Sequence, residues 1–214
     1  MKLLELFAGT RCISRSFEER GHETYSVEWD KSFANISLYS DVNELTIGKI
    51  YELCNGKPDV IWASPDCTTY SIAGISHHRK KIGDKLLPLS AYAIYCDLTN
   101  NHVRALIDVI SPKYFFIENP RGGMRKMPFV EGIPRYTVTY CQYGDTRMKP
   151  TDIWTNHPNP NFKPMCKNGD SCHVRSPRGS RTGTQGLSGS KERSKIPKEL
   201  CDYIVRICED KEEE

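Results

Sequence analysis

The sequence predicts an α/β fold: a doubly wound, mostly parallel sheet with a small, irregular, basic insert. Three observations predict it. Short apolar runs alternate with helix-period segments over the first 120 residues. The chain has 214 residues, 38% hydrophobic and 27% charged, which suits one domain with a real core. Beyond Pro120 the texture shifts to Pro, Gly, Ser and basic residues.

Lys2–Phe7 is an apolar run that reads as a buried strand, and Gly9-Thr10 then turns the chain. Ile13 and Phe17 lie four apart on a helix over Ile13–Arg20, which Gly21 stops. Glu23–Val27 reads as a second strand ending in Glu28-Trp29-Asp30, and a weaker strand precedes Asp41. Asn43–Cys54 reads as a helix capped by Asn43. Asp59–Ala63 is a fourth strand, followed by a long polar loop over 64–88. Ser90–Ile110 has helical spacing, and Tyr114–Ile117 is a fifth strand. Arg135–Tyr140 and Ile153–Thr155 read as further strands. Residues 156–195 have almost no apolar period, and Pro197–Cys208 reads as a closing helix with Pro at its first position.

No apolar run reaches the roughly 18 residues a membrane helix needs. The N-terminal stretch carries Glu5 and lacks a small-residue cleavage site, so it does not read as a secretory signal. Nine scattered cysteines in a chain of this length point to a reducing compartment, with thiols serving packing, metal or chemistry. The net charge of +3 is uneven: −2 over residues 1–120, +9 over 121–195 and −4 over 196–214. The central basic block predicts a polyanionic partner, foremost nucleic acid.

In doubly wound sheets ligands sit at the carboxyl ends of strands. The residues to watch are therefore Gly9, Glu28, Asp41, Asp66-Cys67 and Glu118-Asn119. A glycine turn after the first strand, with an acid after the second, suits a nucleotide-type cofactor: backbone approaches closely and the acid accepts from ribose hydroxyls. FAGT lacks the full GxGxxG, which disfavours a hydride-transfer dinucleotide site, and Trp29 offers a stacking face. Cys67 at a strand tip reads as an exposed nucleophile, with Glu118 closing the next strand. A carboxyl group beside a thiol suits a heterocycle that is protonated while it is attacked.

With these motifs in order, the chain resembles the cytosine-5 DNA methyltransferase family, notably its short phage-type members, from Leu3 to about Arg206. LELFAGT resembles the first cofactor motif, VEWDKSFA the second and Ser40-Asp41-Val42 the third. SPDCTTYS resembles the Pro-Cys motif, and Glu118-Asn119-Pro120 stands where the family has Glu-Asn-Val. Tyr143-Gly144 with Arg147, Lys149 and Thr151 resembles the Tyr-Gly stretch and its Gln-x-Arg-x-Arg motif, and RSKIPKELCDYI the terminal motif.

The resemblance implies a Rossmann-like methyltransferase sheet and S-adenosylmethionine as cofactor, bound by Phe7, Ala8, Gly9, Thr10, Glu28, Trp29, Asp41, Val42 and Pro65. It implies catalysis by Cys67, Glu118, Arg147 and Lys149 on a cytosine flipped out of DNA. Ser71, His77, Arg79, Lys80, Lys81, Arg121, Arg175, Arg178 and Arg181 are the expected nucleic-acid contacts. Residues 1–155 and 191–214 form the expected catalytic domain, and 156–190 a reduced target-recognition segment. A monomer in the cytoplasm of a bacterial or phage-infected cell is the implied setting. Two alternatives stand beside this reading: an RNA cytosine-5 methyltransferase, and a catalytically silent DNA-binding relative.

Three positions depart from the family pattern. Asp66 precedes the nucleophile where Pro is usual, Arg11 stands in the cofactor turn, and Lys149 and Thr151 replace arginines. A carboxylate beside a thiol raises its pKa. Cys166-x5-Cys172-His173, with His157 upstream and Cys141 as a further candidate, leaves two readings open: a structural zinc ion on Cys166 and Cys172 with its remaining ligands unassigned, or two free thiols in a surface loop.

Overall fold

A computed structural model describes residues 1–174 and 189–209. Its seven-stranded sheet is ordered β3–β2–β1–β4–β7–β9–β8. The strands are β1 (Lys2–Leu6), β2 (Glu23–Glu28), β3 (Leu38–Tyr39), β4 (Val60–Ala63), β7 (Tyr114–Pro120), β8 (Arg135–Thr139) and β9 (Pro150–Thr155). The pairs β1–β2, β2–β3, β1–β4 and β4–β7 are parallel, whereas β9 runs antiparallel to both β7 and β8. The order reverses between β1 and β4, so the crevice between their carboxyl ends is the switch point at which such sheets bind ligands.

Alternate residues of the central strands feed two cores. Leu4, Leu6, Ile61, Ala63 and Ile117 pack toward α2 (Ile47–Leu53) and α4 (Ala91–Ile110). Leu3, Val60, Trp62 and Phe116 pack toward α1 (Cys12–Glu19) and α6 (Lys198–Cys208). Burial on both faces is why these strands read as continuous apolar runs. Cys54, Cys96, Cys201 and Cys208 are buried in these cores as small apolar residues.

Glu5 interrupts the apolar run of β1 for a specific reason. Its buried carboxylate accepts the Ile13 and Ser14 amides and the Ser14 hydroxyl, capping α1 from the neighbouring strand. Burial pushes its pKa up to about 7 against these hydrogen bonds.

Several expectations are corrected. The helix expected over Asn43–Cys54 is two elements: a 3-10 turn over Val42–Glu44 capped by Asp41, then α2 capped by Thr46. Each cap accepts an amide two or three residues on, so the chain restarts rather than continues. The loop expected over 64–88 contains α3 (Ile75–His78) and a hairpin of β5 (Arg79–Ile82) and β6 (Lys85–Pro88). Pro197 stands one residue before α6, at its N-cap. A short α5 (Ser190–Ser194) precedes it, while residues 156–174 contain neither helix nor strand.

Candidate active site

The tips of β4 and β7 are parallel neighbours, paired through Ala63 and Ile117. Cys67 follows the first and Glu118 lies in the second, so strand register alone brings both to one edge. Two hydrogen bonds staple the loops that follow. Asn119 donates its side-chain amide to the Pro65 carbonyl at 2.9 Å, and the Gly123 amide donates to the Tyr70 carbonyl at 2.7 Å. The contact is close enough to demand glycine. A Cβ on Gly122 would lie 2.4 Å from the Tyr70 carbonyl oxygen, and one on Gly74 2.3 Å from that of Thr68.

Cys67, Glu118 and Lys149 share one electrostatic environment. Burial pushes the Cys67 thiol up to about 11, the Asp66 and Glu118 carboxylates push the same way, and the Lys149 ammonium opposes them. Burial lowers the Lys149 pKa, while Glu118 and Cys67 act to raise it. Lys149 sits over the Tyr140 ring at 4.4 Å and donates to the Arg193 carbonyl at 3.1 Å. Its φ of +25° immediately before Pro150 is strained, as backbone at functional sites often is. The buried Tyr140 hydroxyl donates to Glu118 Oε1 at 3.0 Å, which fixes the carboxyl group.

Tyr140 is the residue the sequence did not single out, whereas Asn119, marked at the fifth strand's tip, is tied to the site by its bond to Pro65. Tyr140 shares the inward face of Val138 two residues earlier, a period-two signal that was available. Arg147 lies beside Lys149, lowers its pKa and shares the Arg193 carbonyl with it. Its guanidinium pairs with Asp145 at the rim of the Tyr143-Gly144 turn and reaches the Arg193 carbonyl.

On the other side of the switch point, the turn after β1 holds Phe7, Gly9 and Arg11 at positive φ, with a Gly9 Cβ position 3.8 Å from the Phe33 ring. The buried Ala8 amide donates to the Val27 carbonyl at 3.0 Å, and the Thr10 hydroxyl lies 3.0 Å from the Cys12 sulfur. The Glu28 carboxylate accepts the Gly9, Trp29 and Asp30 amides, which leaves about one further acceptor position free. Trp29 beside it is 69% exposed. Asp41 follows β3 and accepts the Tyr95 hydroxyl, Val42 is buried next to it, and Pro65 is buried after β4.

This donor set fits an adenosyl cofactor: a fixed carboxylate for a diol, an open indole face for a purine, and a second carboxylate nearby. Arg11 does not obstruct it, because its guanidinium folds back along α1 onto Glu18 and Thr24.

The expected nucleic-acid contacts divide. His77, Lys80, Lys81 and Arg121 are exposed, and Ser71 is half-buried with its hydroxyl accepting the Gly74 amide. Arg79 is a correction. It is 4% exposed, pairs with Asp97, donates to Thr69 and lies over the Tyr70 ring, so it is a pillar beneath the loop and has no free face for a phosphate. Arg175, Arg178 and Arg181 lie outside the described residues.

The structure also gathers Cys141, Cys166, Cys172 and His173. His157 stays apart, its Nε2 3.0 Å from the Ile207 carbonyl and its ring against Tyr114.

The family described as C-5 cytosine-specific DNA methylase matches residues 1–127, from β1 past the Cys67 and Glu118 tips. The chain belongs to the C-5 cytosine-specific DNA methylase family. This methylase chain is 28% identical over 233 aligned residues to the "Probable DNA (cytosine-5)-methyltransferase" of Frog virus 3 (isolate Goorha), covering 97% of itself and all of that relative.

Two solved structures share the fold. One is the Entamoeba histolytica methyltransferase EhMeth (TM-score 0.55, 13% identity, 78% of this chain and 57% of that one). The other is a prophage-encoded E. coli protein assigned as a DNA modification methyltransferase (TM-score 0.53, 16% identity, 72% and 46%). The methylase chain thus spans about half the length of these solved structures. Among its described residues, no helix is long and apolar enough to cross a membrane.

Proposed function

We propose that this chain transfers a methyl group from S-adenosylmethionine to carbon 5 of a cytosine in DNA, through a transient bond between Cys67 and carbon 6. The observation that carries the reading is the shared environment of Cys67, Glu118 and Lys149 at the tips of adjacent strands.

Cytosine carbon 5 is a poor nucleophile while the ring is aromatic. The Cys67 thiol releases its proton to solvent water, and the thiolate sulfur bonds to carbon 6. The displaced π electrons make carbon 5 electron-rich, and Glu118 stabilises the charge developing at ring nitrogen 3. The Tyr140 bond holds one Glu118 oxygen, so the other can face the base. Burial holds the Cys67 thiol near 11, so it rests protonated and the thiolate has to be drawn out for attack. Lys149 is the group that favours it.

Gly9, Glu28, Trp29 and Asp41 would hold S-adenosylmethionine, which supplies an electrophilic methyl when bound. Carbon 5 then releases its proton to a water, the electron pair left behind re-forms the carbon 5–carbon 6 double bond, and the Cys67 sulfur leaves as thiolate. A base stacked in a duplex cannot enter such a site, so the cytosine leaves the stack. His77, Lys80, Lys81 and Arg121 would contact phosphates around the opening, with residues 156–190 reading the target.

The test is transfer of a labelled methyl group to DNA and to RNA, with bisulfite sequencing to locate it. Label on DNA cytosine, abolished by Cys67→Ser, is the expected result. Label on RNA alone would move the substrate to RNA. No label on either would identify a silent relative.

A further inference from the structure

We propose that Cys141, Cys166, Cys172 and His173 form a closed structural zinc site that fastens the irregular segment after β9 onto the turn carrying Tyr140. The four donor atoms lie within 4.8 Å of one another. With zinc–sulfur bonds of about 2.3 Å, a tetrahedral site has sulfur–sulfur edges of about 3.8 Å and slightly shorter sulfur–nitrogen edges. Three contacts already match: Cys141 to Cys172 sulfur at 3.6 Å, Cys166 to His173 Nδ1 at 3.8 Å, and Cys172 to His173 Nδ1 at 3.5 Å. The Cys141 and Cys166 sulfurs, 3.0 Å apart, would separate by less than an ångström, and the two remaining edges lie within 4.8 Å. That separation is well beyond the roughly 2.05 Å of a disulfide.

The surroundings suit an ion rather than loose thiols. Cys141 and Cys166 are buried, and Cys172 and His173 are half-buried. The Cys166 amide is already tied to Thr139 at 3.1 Å, and the Gln142 side-chain amide lies 3.7 Å from the Cys172 sulfur, placed to donate to a thiolate. Between Cys166 and Cys172 the chain turns through reciprocal bonds of Lys167 and Asp170. Residues 156–174 have no helix or strand; Phe162 packs on Tyr136 and Tyr203, and the turn from Cys166 to His173 beyond it is where an ion would add a fastening. Three thiolates and an imidazole, with all four positions filled by protein, favour zinc in a structural role over a catalytic ion.

The site sits next to the chemistry without entering it. Cys141 directly follows Tyr140, whose hydroxyl holds Glu118. Locking this turn would fix the Tyr140–Glu118 bond and the base of the target-reading segment together.

The test is elemental analysis of the full chain, purified under reducing conditions without chelator and supplied with zinc. One equivalent of zinc per chain is expected. Cys166→Ser and His173→Ala should each lower affinity at least tenfold, while Cys12→Ser and His157→Ala should retain a full equivalent. Cobalt exchange into the unmodified chain should give thiolate charge-transfer bands, a readout that needs no variant to fold. No bound metal, a cobalt spectrum without thiolate bands, or zinc lost from His157→Ala but kept by His173→Ala would overturn the site. So would a Cys141–Cys166 disulfide persisting in the reduced protein.

Discussion

Asn119 donates its side-chain amide to the Pro65 carbonyl at 2.9 Å, so the residue after Glu118 holds the loop that carries Cys67. Asn119 and Pro65 are buried, and this bond and the Gly123–Tyr70 contact staple the loops that follow β4 and β7.

Asn119→Ala should therefore affect rate more than folding. Loss of the bond leaves a buried carbonyl unsatisfied, a cost of about 1–3 kcal/mol in urea unfolding. Turnover should fall at least tenfold, because the bond sets the loop that carries Cys67. An unchanged kcat would show that the staple does not position the nucleophile.

Asp66→Asn removes a negative charge adjacent to Cys67, so the thiol pKa should fall from about 11. Iodoacetamide labelling of Cys67 at pH 8 should become faster than in the wild type. Lys149→Met should make it slower. A reversed order would contradict the electrostatics assigned to the trio.

Arg79 and its neighbours Lys80 and Lys81 should behave oppositely. Arg79→Ala leaves Asp97 without its buried partner and should cost about 3–5 kcal/mol of stability. Lys80→Ala and Lys81→Ala should leave stability intact. Each should reduce the slope of log affinity for DNA against log salt by up to about 0.9. A stable Arg79→Ala variant with only a changed salt slope would restore the phosphate role to Arg79.

Glu5 gives a pH signature. Its folded pKa of about 7 lies above the ordinary 4.5, so the folded chain holds a proton that the unfolded chain has released. Its contribution is full below pH 4.5 and is lost as pH rises through 7, about 3 kcal/mol in all. Glu5→Gln should therefore lose less stability than the wild type between pH 5 and pH 8 in urea titrations. Parallel curves for the two proteins would exclude Glu5 as the source.

Much of this molecule could be read from its residues, and the exceptions share a cause. Strands such as Val60–Ala63 were legible because burial on both faces leaves an unbroken apolar run. The β5–β6 hairpin was not, because its Lys80, Lys81 and Lys85 face water and mask the pattern. Cys67 and Glu118 were legible as polar residues at strand tips. Arg79 was misread because polarity alone does not distinguish a paired, buried cation from an exposed one. Arg147 was expected at the chemistry and stands beside Lys149, paired with Asp145 two residues away. The metal ligands stayed open because Cys141 comes from a different segment, 25 residues before Cys166, and only the fold brings them together.

The most direct test of the central claim is covalent trapping on DNA containing 5-fluorocytosine, in the presence of S-adenosylmethionine. Fluorine at carbon 5 cannot leave as a proton does, so the enzyme should stay bonded through Cys67 and run as a denaturant-stable complex. Cys67→Ser should form none. A complex that persists in Cys67→Ser, or methylated DNA without any trapped wild-type protein, would contradict the account.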